Sequence, residues 1–183
     1  MSIKPYSYQQ DALGKLARAH GEKRKRTLVV MATGLGKTVV SALEIARLLK
    51  RAPGRVLYQC HNNQILRQAR ETFEEVLGSS YSFGFFHGTE KHLHHVDVLF
   101  ASFQTMANWR EAFLRGEFRY VVVDEVQYAH AATFRPTVEY FQPEWMVGLT
   151  ATPYRSDGLD VVELFGGHVA YRLELFDALA QGY

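Results

Sequence analysis

The stretch Met31-Ala32-Thr33-Gly34-Leu35-Gly36-Lys37-Thr38 leaves this chain few ways to fold. Before it runs Thr27-Leu28-Val29-Val30-Met31, short, apolar and β-branched, which reads as a buried strand. After it Val39, Val40, Ala42, Leu43, Ile45, Ala46, Leu48 and Leu49 recur at helical spacing. A strand that enters a glycine-rich turn and leaves as a helix is the context a phosphate-binding loop needs. The N–H groups of Gly34 to Thr38 lack acceptors in the first helical turn, and with the positive end of the helix dipole they form an anion cradle. Glycine at 34 and 36 permits unusual φ/ψ and lets a phosphate approach without a Cβ in the way. In such a loop Lys37 reaches the β- and γ-phosphates of a nucleotide and the Thr38 hydroxyl ligates Mg²⁺. Met31 stands where the pattern G-x-x-x-x-G-K-S/T opens on glycine. A turn whose glycines serve geometry alone leaves the Gly-Lys-Thr ending and both flanks unexplained.

The rest of the chain repeats this alternation. Gln9 to Ala19 carries Ala12, Leu13, Leu16 and Ala17 on one helical face, and Gly21 stops it. Strands are predicted at Thr27–Met31, Arg55–Cys60, Tyr81–Phe86, Asp97–Ala101, Tyr120–Asp124 and Glu144–Leu149. Helices are predicted at about Lys37–Lys50, Asn62–Leu77 and Phe103–Leu114, with a short terminal helix over Leu173–Ala180. Strands that are apolar throughout and alternate with helices predict an α/β fold, a mainly parallel sheet sandwiched by helices. In such sheets ligands sit at the carboxyl ends of the strands, where Gly34–Thr38 and Asp124-Glu125 both fall.

With 183 residues the chain reads as one domain, 1–183, able to bury about 70% of its unfolded surface. No apolar run reaches membrane-spanning length, the first ten residues are polar, and Cys60 is alone, so the expectation is a cytoplasmic protein with no membrane partner. A net charge of +2 does not by itself argue for nucleic acid, and the basic run Lys23-Arg24-Lys25-Arg26 reads as a solvated loop between a helix and a strand.

Asp124 and Glu125 close the apolar run Val121-Val122-Val123. In a phosphate-loop enzyme the first of two such carboxylates coordinates Mg²⁺, usually through water, and the second orients the attacking water. Adjacent carboxylates repel in a dry site, a penalty that a divalent cation reverses. An exposed acidic turn is the plain alternative for the pair taken alone.

With Gly148-Leu149-Thr150-Ala151-Thr152-Pro153-Tyr154-Arg155 added, these motifs resemble the first RecA-like domain of a superfamily 2 helicase or translocase, in the branch of type I and type III restriction-enzyme motor subunits. The resemblance spans nearly the whole chain. It implies ATP and Mg²⁺ as ligands. Gln9 of Tyr8-Gln9-Gln10-Asp11-Ala12 matches the adenine-reading glutamine, and Thr33, Gly34, Leu35, Gly36, Lys37 and Thr38 match the phosphate loop. Thr38 and Asp124 match the Mg²⁺ ligands, and Lys37, Asp124, Glu125 and Gln127 the hydrolytic set. Gln68, within Asn63–Gln68, and Ser102 and Gln104, within Ala101–Thr105, match motifs that lie along the DNA or RNA backbone in the family. Thr150 and Thr152 match the segment that couples hydrolysis to nucleic acid and to domain movement. Two departures stand out: Gln127 replaces the histidine of close relatives, and Ser102 replaces threonine while keeping the hydroxyl. His130 is a less favoured substitute for that histidine.

Other residues are read as structural. His87, His92, His94 and His95 invite a zinc hypothesis, but loop-like flanks and no neighbouring cysteine speak against it. Phe83, Phe85, Phe86, Phe100 and Phe103 read as core, whereas Tyr6 and Tyr8, beside Gln9, are candidates to pack on adenine. The family works with two RecA-like domains, the second supplying arginines worth about 10³ to 10⁵ in rate. No motif of that second domain is present, and Arg155 belongs to the first-domain segment, so the expectation is a first-domain unit that binds nucleotide and hydrolyses it weakly or not at all alone. The alternative is a non-catalytic module that reports ATP occupancy to a partner, but such a module has no need to keep Glu125.

Overall fold

The computed structural model describes residues 3–88, 90–91, 95–128, 131–152, 161–180 and 182. The helices are α1 (Ser7–Gly21), α2 (Lys37–Arg51), α3 (Asn63–Leu77), α4 (Phe103–Trp109), α5 (Ala131–Tyr140), α6 (Val161–Leu164) and α7 (Leu175–Ala180). The strands are β1 (Arg26–Met31), β2 (Val56–Cys60), β3 (Phe83–His87), β4 (Glu90–Lys91), β5 (Val98–Ser102), β6 (Tyr120–Val123), β7 (Trp145–Thr150) and β8 (Val169–Leu173). They form one sheet in the order β4-β3-β5-β2-β6-β7-β1-β8, in which only the β3–β4 pair is antiparallel.

A parallel sheet needs crossover connections, and the crossovers place helices on both faces, so its strands are dry on both sides. Side chains alternate accordingly. Along β1, Val29 and Met31 join Ala12, Leu16, Val40, Ile45 and Phe73 from the α1–α3 layer, whereas Leu28 and Val30 join Met106, Phe118, Phe141 and Phe165 on the opposite face. Register ties the central strands together: Val29 lies opposite Leu149, Val121 opposite Met146, and Tyr58 opposite both Phe100 and Val122. The ends of β1, β6 and β7 are thereby brought side by side at one carboxyl edge, where phosphate loop and acidic pair follow.

The six predicted strands are present, and two more join them. β8, Val-Ala-Tyr-Arg-Leu, lies at a sheet edge and is half-exposed, so it lacks the mostly apolar, buried run that marks the six predicted strands. Leu173 accordingly ends β8 instead of opening the terminal helix, which starts at Leu175. The helix expected over Phe103–Leu114 stops at Trp109 and tightens into a 3₁₀ turn over Arg110–Ala112. Phe113 is the reason: it turns extended to meet Phe86 and Phe118 edge-on or tilted, at 5.2 and 5.4 Å between ring centres. α5 carries Pro136 in its interior, where the sequence offers no helical cue.

Candidate nucleotide site

The loop after β1 turns through Gly34 and Gly36 at φ +88° and +74°, the left-handed region that only glycine enters without strain. Gly36 caps α2, and Val40 N–H closes the first turn on the Gly36 carbonyl at 3.1 Å. The N–H groups ahead of it have no intrahelical acceptor, as at any helix start, and of these Leu35 N–H donates to the Ala32 carbonyl at 3.4 Å. Gly36 has a second reason to lack a side chain. A Cβ there would stand 2.5 Å from Gln9 Nε2. Gln9 is buried, its Nε2 donates to the Leu35 carbonyl at 3.1 Å, and its Oε1 accepts from Tyr6 N–H at 3.0 Å. The adenine-matching glutamine therefore clasps the phosphate loop. Beside it, Tyr6 is 67% exposed and stacks nearly parallel on buried Tyr8, 5.7 Å between ring centres.

Lys37 Nζ donates to the Met31 carbonyl at 3.2 Å and lies 3.7 Å from Glu125 Oε1. Met31 can replace the usual glycine because the site uses only its carbonyl, while its side chain is buried in the core. Asp124 is 2% exposed. Its Oδ1 accepts from Glu125 N–H at 2.9 Å and its Oδ2 accepts from the Tyr58 hydroxyl at 2.5 Å. Burial pushes the Asp124 carboxyl up to about 6, with the hydrogen bond from Tyr58 opposing the rise and the Glu125 charge adding to it. The Tyr58 hydroxyl is pushed well up in turn, by burial first and then by the Asp124 charge. Glu125 holds φ +52°, which costs a non-glycine residue about 1–2 kcal/mol. The strained turn aims its carboxylate at Lys37 and at Gln127, whose Nε2 donates to Glu125 Oε2.

From Gln127 the chain of contacts crosses to β7. The buried Thr150 hydroxyl lies 2.6 Å from Gln127 Oε1 and 2.6 Å from the Thr152 carbonyl, and it accepts from Thr152 N–H at 3.1 Å. One hydroxyl proton serves one acceptor at a time, so Thr150 chooses between Gln127 and the Thr152 backbone. Gln127 is thus hydrogen-bonded to Glu125 on one side and to Thr150 on the other. Next to this segment a cavity of about 580 Å³ opens between Ala32-Thr33, Ala151-Thr152 and Glu174-Leu175-Phe176. Its volume is that of a small-molecule pocket.

Gln68, Ser102 and Gln104 stand apart on the far side of β6, Gln68 on α3 against β2 and β5, and Ser102 and Gln104 where β5 runs into α4, which packs on β3 and β5. Gln68 and Gln104 are exposed on α3 and α4. Ser102 is 7% exposed and caps α4, accepting from Thr105 N–H at 3.2 Å and donating to Thr105 Oγ1 at 2.8 Å. His92, His94, His130, Pro153, Tyr154 and Arg155 lie outside the described residues. His87 is buried edge-on to Phe85, and among the described residues no group of three His, Cys, Asp or Glu side chains is placed to hold a metal. The sequence reading missed Tyr58. Its only signal was a hydroxyl in a strand dry on both faces, where a phenol needs a partner.

The donor set suits Mg²⁺, which keeps most of its water and takes one or two protein oxygens beside phosphate. Asp124 offers such an oxygen beside the Tyr58 hydroxyl, and the Thr38 side chain at the start of α2 is the second candidate. Sheet, loop and acidic turn together are those of the N-terminal RecA-like domain of a superfamily 2 helicase. The chain belongs to the family described as type III restriction enzyme, res subunit, whose model matches residues 2–155. It is similar to the type I restriction enzyme EcoAI endonuclease subunit of Escherichia coli, 27% identical over 193 residues covering 98% of this chain and 23% of that protein. It is also similar to the DNA 3'-5' translocase XPB2 of Sulfurisphaera tokodaii, 29% identical over 151 residues covering 82% of this chain and 32% of the relative. A solved fragment described as an HsdR subunit of a type I restriction enzyme from Vibrio vulnificus YJ016 superposes with a TM-score of 0.73 at 27% identity, over 98% of this chain and 32% of the fragment. The chain thus spans about a quarter to a third of the length of these relatives.

Proposed function

We propose that this chain is the ATP-binding half of a nucleic-acid motor whose parent protein couples ATP hydrolysis to movement on DNA. One observation carries the reading: a left-handed glycine loop, Lys37, Thr38, Asp124 and Glu125 meet at one sheet edge, and a hydrogen-bonded path leads from Glu125 through Gln127 to Thr150 and Thr152. In this reading the N–H groups of Gly34, Leu35, Gly36 and Thr38 cradle the phosphates beside Thr33, and Lys37 leaves the Met31 carbonyl for the β- and γ-phosphates. Thr38 and Asp124 hold Mg²⁺, which neutralises phosphate charge when bound. Glu125 accepts a proton from the attacking water and Gln127 holds its carboxylate in place. Gln9 contributes adenine recognition by exchanging a loop contact for the base edge, with Tyr6 as the ring available to stack.

DNA is favoured as the track because the relatives are named as a DNA translocase and a restriction endonuclease subunit. Gln68, Ser102 and Gln104 are the candidate backbone contacts, and Thr150–Thr152 the coupling segment. The reading includes a second RecA-like domain, in cis or from another chain, closing on the exposed side of the loop. It also includes a cytoplasmic location; no helix among the described residues is long and apolar enough to cross a membrane.

The test is ATP binding and turnover by the 183-residue chain, with and without single- and double-stranded DNA and RNA, beside Lys37→Ala. The expected result is binding that falls at least about tenfold in Lys37→Ala, the loss of one charge-assisted contact, and turnover that is weak or absent. A wild-type chain that binds no nucleotide refutes the site. Vigorous turnover stimulated by nucleic acid refutes the need for a second domain.

A further inference from the structure

Tyr58 lies in the middle of β2, fully buried. Its ring meets Phe73 edge-on at 5.4 Å and Phe100 at 5.4 Å, and those two rings pack edge-on against each other at 5.5 Å. Phenylalanine would fill this space equally well, and burying a hydroxyl costs free energy unless it finds a partner. The hydroxyl here finds Asp124 Oδ2, to which it donates at 2.5 Å. One rigid phenol therefore holds one oxygen of the carboxylate assigned to the cation. Asp124 Oδ1 is held separately by Glu125 N–H, so the carboxylate is fixed at both ends.

We propose that Tyr58 is a positioning residue for Mg²⁺: its hydroxyl, anchored by the Phe73–Phe100 packing, fixes the Asp124 carboxylate in one geometry before the nucleotide arrives. The inference rests on the reading of this edge as a Mg²⁺–nucleotide site. Groups that orient metal ligands typically contribute about 10- to 100-fold in metal affinity. Tyr58 does so without touching the phosphate loop's N–H groups, so its effect falls on the metal-dependent part of nucleotide binding alone.

The experiment is a titration of a fluorescent ADP analogue into the whole chain, in EDTA and at increasing Mg²⁺, for wild type, Tyr58→Phe and Phe73→Leu, with thermal melts of each. Tyr58→Phe should raise the half-saturating Mg²⁺ by about tenfold or more, while binding in EDTA changes by less than about twofold. Phe73→Leu keeps the phenol but removes one wall of its packing, and should shift the Mg²⁺ midpoint in the same direction by about threefold. A merely structural tyrosine would lower the melting temperature and leave the Mg²⁺ midpoint unmoved. Superimposable Mg²⁺ titrations for wild type and Tyr58→Phe overturn the role of Tyr58 and leave the nucleotide site standing. If the melts show Tyr58→Phe unfolded, an unmoved midpoint in Phe73→Leu overturns it instead. A wild type that binds nucleotide identically with and without Mg²⁺, or not at all, overturns the metal reading itself.

Discussion

Asp124→Asn should make the metal-free chain more stable at neutral pH. Asp124 is 2% exposed, and its carboxyl is carried by burial from 3.8 to about 6. That difference corresponds to about 3 kcal/mol of folding free energy lost to keeping the buried group charged at neutral pH. Asparagine removes the charge and still accepts from the Tyr58 hydroxyl. Its amide NH₂, however, then faces Glu125 N–H where Oδ1 had accepted at 2.9 Å, which returns about 1 kcal/mol. The net gain is about 2 kcal/mol, or roughly 4–8 °C in melting temperature for a chain of this size. The pH dependence has a definite sign. The folded chain holds this proton more tightly than the unfolded one, so the wild type's contribution from it is fully present below about 4 and is lost as pH rises through about 6. The advantage of the variant should therefore be complete above roughly pH 7 and vanish below about 4. Melts of both proteins in EDTA across this range, compared as a difference, isolate Asp124 from other titrating groups. Mg²⁺ with ADP should then stabilise wild type and not the variant. An asparagine variant that melts lower at neutral pH, or a gain that does not change with pH, refutes the reasoning that a charge is buried here in wait of a cation.

Two glycines give further tests. Gly36→Ala forces a Cβ to within 2.5 Å of Gln9 Nε2 at φ +74°, so it should cost about 1–3 kcal/mol and weaken ADP binding, read by melts and by titration. An unchanged affinity would mean the loop does not need Gln9 where it stands. Gly148→Ala places a methyl 2.6 Å from Phe165 Cζ and 2.8 Å from Leu28 Cδ1, inside a packed core, and should cost about 1–3 kcal/mol in urea unfolding with ADP affinity preserved in the folded fraction.

Much of this protein could be read from its sequence, and the reasons are local. Six strands are mostly apolar runs, and the phosphate loop announces itself because strand, glycines, Lys37 and Thr38 are adjacent in the chain and act through backbone conformation. The acidic pair is equally local, being two carboxylates at the end of a strand. β8 escaped because an edge strand is wet on one side and carries no unbroken apolar run, and the end of α4 escaped because Phe113 answers to Phe86 and Phe118, not to its neighbours in the chain.

What only the tertiary structure decided is which side chains meet. The strand order sets β6 between β2 and β7, so residues as distant as Tyr58 and Asp124, or Gln127 and Thr150, come within hydrogen-bonding distance. It also decides that Gln9, read as an adenine ligand, holds the loop, and that Lys37 rests between Met31 and Glu125. Hydrogen bonds fall off within a few tenths of an ångström and sequence spacing carries no such precision across a sheet. The chain's own pattern therefore determined the edge at which the chemistry stands, and packing determined the contacts through which it is held.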